Sequence, residues 1–193
     1  MLIIYNVAHQ CPKQSAFRLQ PSALHPLLHC SSLPIRVLSK SIVAFITNYW
    51  DVSDITNISL ENDEVKFCSD CFGGFIESGS ASISSLNISG KELLYSLKSL
   101  TSLPFNTTCF AVPGMLDTVS TLCSHEDKTI AKLALEVLWN ISVEPTVALA
   151  ILCHESVICI LKRMSVFSCG LANLTRNILW ILGYGNVTGE QEN

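Results

Sequence analysis

The sequence predicts an all-α chain organised as a stacked helical repeat, and three observations carry that expectation. First, DKTIAKLALEVLWNIS (Asp127 to Ser142) sets Lys132, Glu136 and Asn140 four residues apart, with nearly everything between them apolar. On a helix this spacing gives one narrow polar stripe on a cylinder whose remaining surface needs cover from several sides. Second, the pattern returns at a fixed distance. A shift of 41 residues superposes LEVLWNIS (Leu135 to Ser142) on RNILWILG (Arg176 to Gly183), with Trp139 on Trp180, Leu138 on Leu179 and Val137 on Ile178. Third, the same shift backwards brings LYSLKSLT (Leu94 to Thr101) into register and lays Pro104 under Pro145, each just after its helix, where proline stops a helix from continuing. Agreement in apolar spacing, in aromatics and in the breaker points to one repeating unit.

Taken in chain order, the first helical stretch is LIIYNVAHQ (Leu2 to Gln10) and the second SIVAFITNY (Ser41 to Tyr49), about 40 residues apart when Tyr5 is set on Phe45. The interval to the third unit is longer. The added material lies in or near Gly73 to Gly90, GGFIESGSASISSLNISG, and this glycine- and serine-rich composition reads as an insertion loop, near 73–90. The clearest unit divides into three helices: Pro145 to about Cys153, Glu155 to about Met164, and Leu171 to Leu182. The whole of 1–193 is read as a single domain of this type. Trp139 and Trp180, flanked by leucine and isoleucine, are expected to pack in the core.

Composition narrows the function classes. The apolar fraction is 49% with only 15% charged residues, and mean hydropathy is +0.40; membrane insertion and a helical array with a continuous core both account for this. The longest apolar run, Thr146 to Leu161, is interrupted by His154 and Glu155 and falls short of the roughly 20 residues that a span needs. MLIIYNVAHQ lacks the basic start of a signal peptide. A soluble, cytoplasmic protein is therefore expected, with the nucleus as the second choice. The formal charge of −4 gives no footprint for nucleic acid, and the scattered lysines and arginines form no patch for an anionic membrane.

Nine cysteines, an odd number, sit mostly within apolar helical patterns and are read as reduced, in a reducing compartment. Six Asn-x-Ser/Thr sequons begin at Asn57, Asn87, Asn106, Asn140, Asn173 and Asn186. Two of them, at Asn140 and Asn173, fall in helical patterns rather than the loops that glycosylation requires, so the excess is read as compositional.

A three-helix unit of this length ending in LALEVLWNIS resembles the armadillo repeat, whose third helix closes on an Ala-Leu-x-Asn-Leu-like sequence. The likeness is strongest over Asp127 to Ser142 and covers most of the chain. It implies a right-handed α-α superhelix (an armadillo-type solenoid) of about four to five repeats with incomplete ends, in which third helices line a concave groove. Under that resemblance the groove residues are Asn6, Lys91, Tyr95, Ser99, Lys132, Glu136, Asn140, Asn173 and Asn177, and the partner is a protein or peptide. Peptide-binding members hold the partner's main chain with a ladder of asparagines on the third helix. Here Asn6 and Asn140 occupy that place, while Ile46, Ser99 and Ile181 depart from it, which speaks against capture of nuclear-localisation signals. A softer likeness is to invertebrate proteins that place armadillo arrays beside a TIR signalling module, through IIYNVAHQCPKQSAFRLQ. The apolar opening LIIYNVA suggests a piece of a longer array, or an end face that is covered by another domain or chain, or that self-associates.

Chemistry is sparse by comparison. Cys68-x-x-Cys71 is the only close cysteine pair, and His25, His29 and Cys30 form an isolated group; a zinc site needs four ligands at set spacing. Phosphate-loop, dinucleotide and Gly-x-Ser-x-Gly signatures are absent. Catalytic, metal and cofactor sites are therefore assigned to no residue. The expected role is that of a noncatalytic protein-interaction scaffold. The alternatives are a structural segment restraining a neighbouring signalling domain, and a small metal- or thiol-dependent enzyme using Cys68 and Cys71.

Overall fold

A computed structural model describes residues 24–50, 58–78, 90–111, 113–166 and 170–184. Every regular element among them is helical. The chain forms two compact units, Met1–Asn106 and Thr107–Asn193.

The first unit contains α1 (His25–Leu28), α2 (Leu33–Trp50), α3 (Asn62–Ser78) and α4 (Gly90–Thr101). Helix α2 is its hub and packs against each of the other three. Every residue from Val37 to Phe45 is buried, so this stretch of α2 is covered on all sides. Its serines tolerate this because their hydroxyls donate to their own backbone, Ser39 to the Ile35 carbonyl and Ser41 to that of Leu38. Lys40 tolerates it through Glu64, fully buried in the first turn of α3. The Lys40 ammonium donates to Glu64 Oε2 at 2.6 Å and to the Ser59 carbonyl at 2.8 Å. Arg36 completes the cluster, giving Nε to Glu64 Oε1 at 3.1 Å and Nη2 to Asp63 at 2.6 Å. Two cations thus meet two carboxylates at the start of α3, and Glu64 Oε2 also accepts the Glu61 backbone N–H, half of a capping box.

Helix α4 buries Leu93, Leu94, Leu97 and Leu100 and packs on α2 and α3. Beyond it comes the short α5 (Pro104–Thr107). Asn106 is fully buried there: its Oδ1 accepts the Leu60 N–H, and its Nδ2 donates to the Leu100 and Ile58 carbonyls. A glycan cannot be attached to this asparagine in the folded unit. Helix α3 continues through Gly73 and Gly74 to Ser78, so the first part of the glycine- and serine-rich stretch is helix. Residues 79–89 of that stretch, and LIIYNVAHQ with Asn6, lie outside the described residues.

The second unit holds a 3-10 turn (Thr108–Phe110), α6 (Pro113–Cys123), α7 (Lys128–Ser142), α8 (Pro145–Leu152), α9 (Glu155–Val166) and α10 (Ala172–Ile181). The three helices expected after Pro145 are present within a residue or two of their expected ends. Each start has a physical cause. Asp127 caps α7 by accepting the Thr129 N–H at 2.8 Å, and Glu144 caps α8 by accepting the Val147 N–H at 2.9 Å, ahead of Pro145. Helix α10 ends where Gly183 turns to φ 85°. The Gly183 N–H then reaches the Trp180 carbonyl and the Tyr184 N–H that of Leu179, a Schellman closure.

Packing within this unit pairs each helix first with its neighbour and then across the pairs. Helix α6 lies on α7 and α9 on α10, while α6 also contacts α9 and α7 contacts α10; α8 connects the layers. Nine residues of α7 are buried, Ile130, Ala131, Leu133, Ala134, Leu135, Val137, Leu138, Ile141 and Ser142. Each fully buried leucine, isoleucine or valine contributes about 1.5–3 kcal/mol. The surface pair Lys132–Glu136, at 3.7 Å, adds only a few tenths of a kcal/mol. Packing, not the helix's own side-chain pairing, fixes α7 in place.

Among the described residues no single helix is long and apolar enough to cross a membrane. The pair α8–α9 meets the length and composition of a span only together, and it is bent by 87° at its break. Val147, Ile151, Val157, Ile158 and Leu161 of that pair are buried in the unit's own core.

Candidate functional site

The polar row on α7 continues into a wider exposed stripe. Lys132 is exposed and Glu136 and Asn140 are half-buried, while Trp139 and Val143 also reach the surface. Positions 132, 136, 139, 140 and 143 follow helical spacing, so they share one face. On α10, packed against α7, the corresponding stripe is Asn173, Asn177 and Trp180, all exposed, with Arg176 beside it. The Arg176 Nη2 donates to Asn173 Oδ1 at 2.5 Å. The structure therefore brings together Lys132, Glu136 and Asn140 with Asn173 and Asn177 on two packed helices of one unit.

Both tryptophans correct the sequence-based expectation of core packing. Trp139 is 40% exposed and Trp180 is 72% exposed. The reason is angular: Trp139 comes three residues after Glu136 and one before Asn140, which places it on the polar side of α7. Hydrophobicity suggested a core position, whereas the helical phase set by Lys132 and Glu136 already excluded it.

In the first unit, Lys91 and Tyr95 of α4 are half-buried. Ser99 departs from the expectation of a groove residue. It is buried, and its hydroxyl donates to the Tyr95 carbonyl one turn back, so the helix backbone already uses the donor a partner would need.

Of the close pair, Cys68 is buried and Cys71 half-buried. Cys68 is fully buried, and burial, reinforced by the nearby Cys71 and Glu64, pushes its thiol well above the ordinary range. Burial followed by the Asp70 charge pushes Cys71 up to about 11. Both are protonated at neutral pH, where the thiolate needed for nucleophilic or redox chemistry is scarce. Among the described residues no group of three or more histidine, cysteine or carboxylate side chains is placed to hold a metal ion. His25 and His29 meet edge to face, with ring centroids 5.2 Å apart.

One further cluster has an enzyme-like composition. His154 lies between Asp117 Oδ1, 3.1 Å from Nε2, and the Ser156 hydroxyl, 3.0 Å from Nδ1. It sits at the start of α9, its carbonyl accepts the first helical N–H groups, and the Asp117 side chain is 63% exposed. The arrangement joins α6 to the start of α9 and serves as a helix-start contact.

Comparison with known proteins adds no further assignment: no family model, no curated protein and no solved structure matches the chain. The stripe on α7 and α10 is the surface on which residue chemistry and sequence register coincide.

Proposed function

We propose that this chain is an armadillo-type solenoid segment acting as a noncatalytic protein-interaction scaffold in the cytoplasm. The observation that carries the reading is the pairing of α7 with α10, whose sequences repeat at 41 residues, while α6 and α9 make the matching contact beside them. Stacking of equivalent helices is what a repeat needs in order to bury faces that one unit alone leaves open.

The partner is a peptide segment or helix lying across the α7 and α10 stripes. Asparagine supplies both a donor and an acceptor to a main chain, through Asn140, Asn173 and Asn177. Trp139 and Trp180 supply large, rigid surfaces of the kind that dominates binding energy at interfaces. In the same reading Lys91 and Tyr95 are the α4 counterparts of Lys132 and Glu136.

The test is photo-crosslinking from position 177, with the captured segment mapped by mass spectrometry. A Glu136→Lys, Asn140→Ala variant is expected to keep its helical circular-dichroism spectrum and lose the crosslink. An unchanged crosslink in that variant would move the binding surface off this stripe.

A further inference from the structure

The second unit contains two layers, α6 with α7 and α9 with α10, and their equivalent positions can be compared directly. A shift of 41 sets α7 on α10. A shift of 42 sets α6 on α9, laying buried Met115, Leu116 and Val119 over buried Val157, Ile158 and Leu161. Against that agreement, two positions exchange a buried residue for an exposed cation. Leu135 is fully buried on α7, whereas its counterpart on α10 is the exposed Arg176. Ser120 is buried on α6, whereas its counterpart on α9 is the exposed Lys162.

We propose that the α9–α10 layer is a terminating surface, barring a third layer of the same kind by placing two cations where stacking would bury them. This inference rests on the stacked-repeat reading above. The layer has apolar material that would otherwise favour stacking, since Trp180 and Val166 are 72% and 75% exposed. Both cations are held within their own layer. Arg176 bonds to Asn173, and the Lys162 ammonium lies 4.5 Å from the centroid of the Tyr184 ring. A third layer would have to strip water from both charges, and a buried cation without a counter-charge strongly opposes association. Solenoids need a polar outer face at a terminal repeat for the same reason.

The test is sedimentation of the full chain over a concentration series, for the parent and for Lys162→Ser, Arg176→Leu, with far-UV circular dichroism on each sample. The double variant restores the residues of the inner layer. It is expected to keep its helical spectrum and to self-associate at least tenfold more tightly than the parent. Arg176→Leu alone, at an exposed site, is expected to move in the same direction, and it carries the test should the double variant misfold. Association equal to the parent's, or weaker, in a helical variant would overturn the terminating role alone. A parent lacking helical signal would instead overturn the stack on which it rests.

Discussion

Replacing Glu64 with glutamine keeps its shape and removes its charge, which isolates what the buried cluster of the first unit contributes. The carboxylate accepts three donors: Arg36 Nε on one oxygen, and Lys40 Nζ with the Glu61 N–H on the other. An amide offers one oxygen and turns an NH2 toward a donor. Lys40, 4% exposed, then loses its counter-charge. Breaking a buried pair from one side costs about 3–5 kcal/mol. The remaining amide oxygen and the Lys40 bond to the Ser59 carbonyl place Glu64→Gln at about 3 kcal/mol. For a chain of this size that corresponds to about 6–12 °C in Tm.

Hydrogen exchange read by mass spectrometry locates the effect. Peptides from α2 and α3 are expected to exchange about 100-fold faster, at about 1.4 kcal/mol per tenfold, with those from α7 and α10 much less affected. The double variant Lys40→Met, Glu64→Leu removes both charges together and should recover much of the loss, since an apolar pair of similar volume avoids the desolvation penalty. A Glu64→Gln protein that melts and exchanges like the parent would refute the argument. So would a double variant less stable than the sum of the single changes.

Trp180→Ala is expected to change stability by under about 1 kcal/mol, against the roughly 3–5 kcal/mol of a buried aromatic, and acrylamide should quench its emission readily; a large loss in urea unfolding would return it to the core. Iodoacetamide at pH 7.5 is expected to label the exposed Cys153 and Cys159 and to spare the buried Cys68 and Cys123, the latter held near 12 by burial. Peptide mapping that found Cys68 labelled as fast as Cys153 would contradict its placement. Glu144 is held below its ordinary value by the Thr146 hydroxyl and then by the Val147 N–H. Its contribution is therefore present above the unfolded carboxyl value and lost as pH falls through the lower folded one, so Glu144→Ala should narrow its stability gap to the parent in acid. Asp127→Ala, removing the α7 cap, should cost about 1 kcal/mol in denaturant unfolding.

Much of the helical layout is legible in the sequence, because helix ends in this chain are written locally. Pro145, the Glu155 start and the Gly183 end act within a turn of themselves, and the 41-residue register of α7 and α10 needed only counting. The legible part of the candidate site was its polar row, Lys132, Glu136 and Asn140. The tryptophans point to the core by hydrophobicity and to the surface by helical phase, and phase prevails. At Ser99 a resemblance supplies a position but not the fact that the hydroxyl turns back on its own helix. The run through Gly73 and Gly74 has the composition of a loop yet is helix, since each glycine costs only about 1 kcal/mol there, a penalty that the rest of α3 outweighs.

By itself, then, the sequence determined the helices from Asp127 onward, their breaks and the 41-residue register that relates α7 to α10, all consequences of periodicity and capping over a few residues. Only the tertiary structure decided that Lys40, Arg36, Asp63 and Glu64 form one cluster, that Asn106 ties Leu60 to the end of α4, and that Leu135 is buried where Arg176 is not. Those outcomes depend on contacts between residues up to 48 apart, and on which helix face a neighbour covers. Local propensity carries no record of either, because burial is set by the neighbouring element and not by the residue.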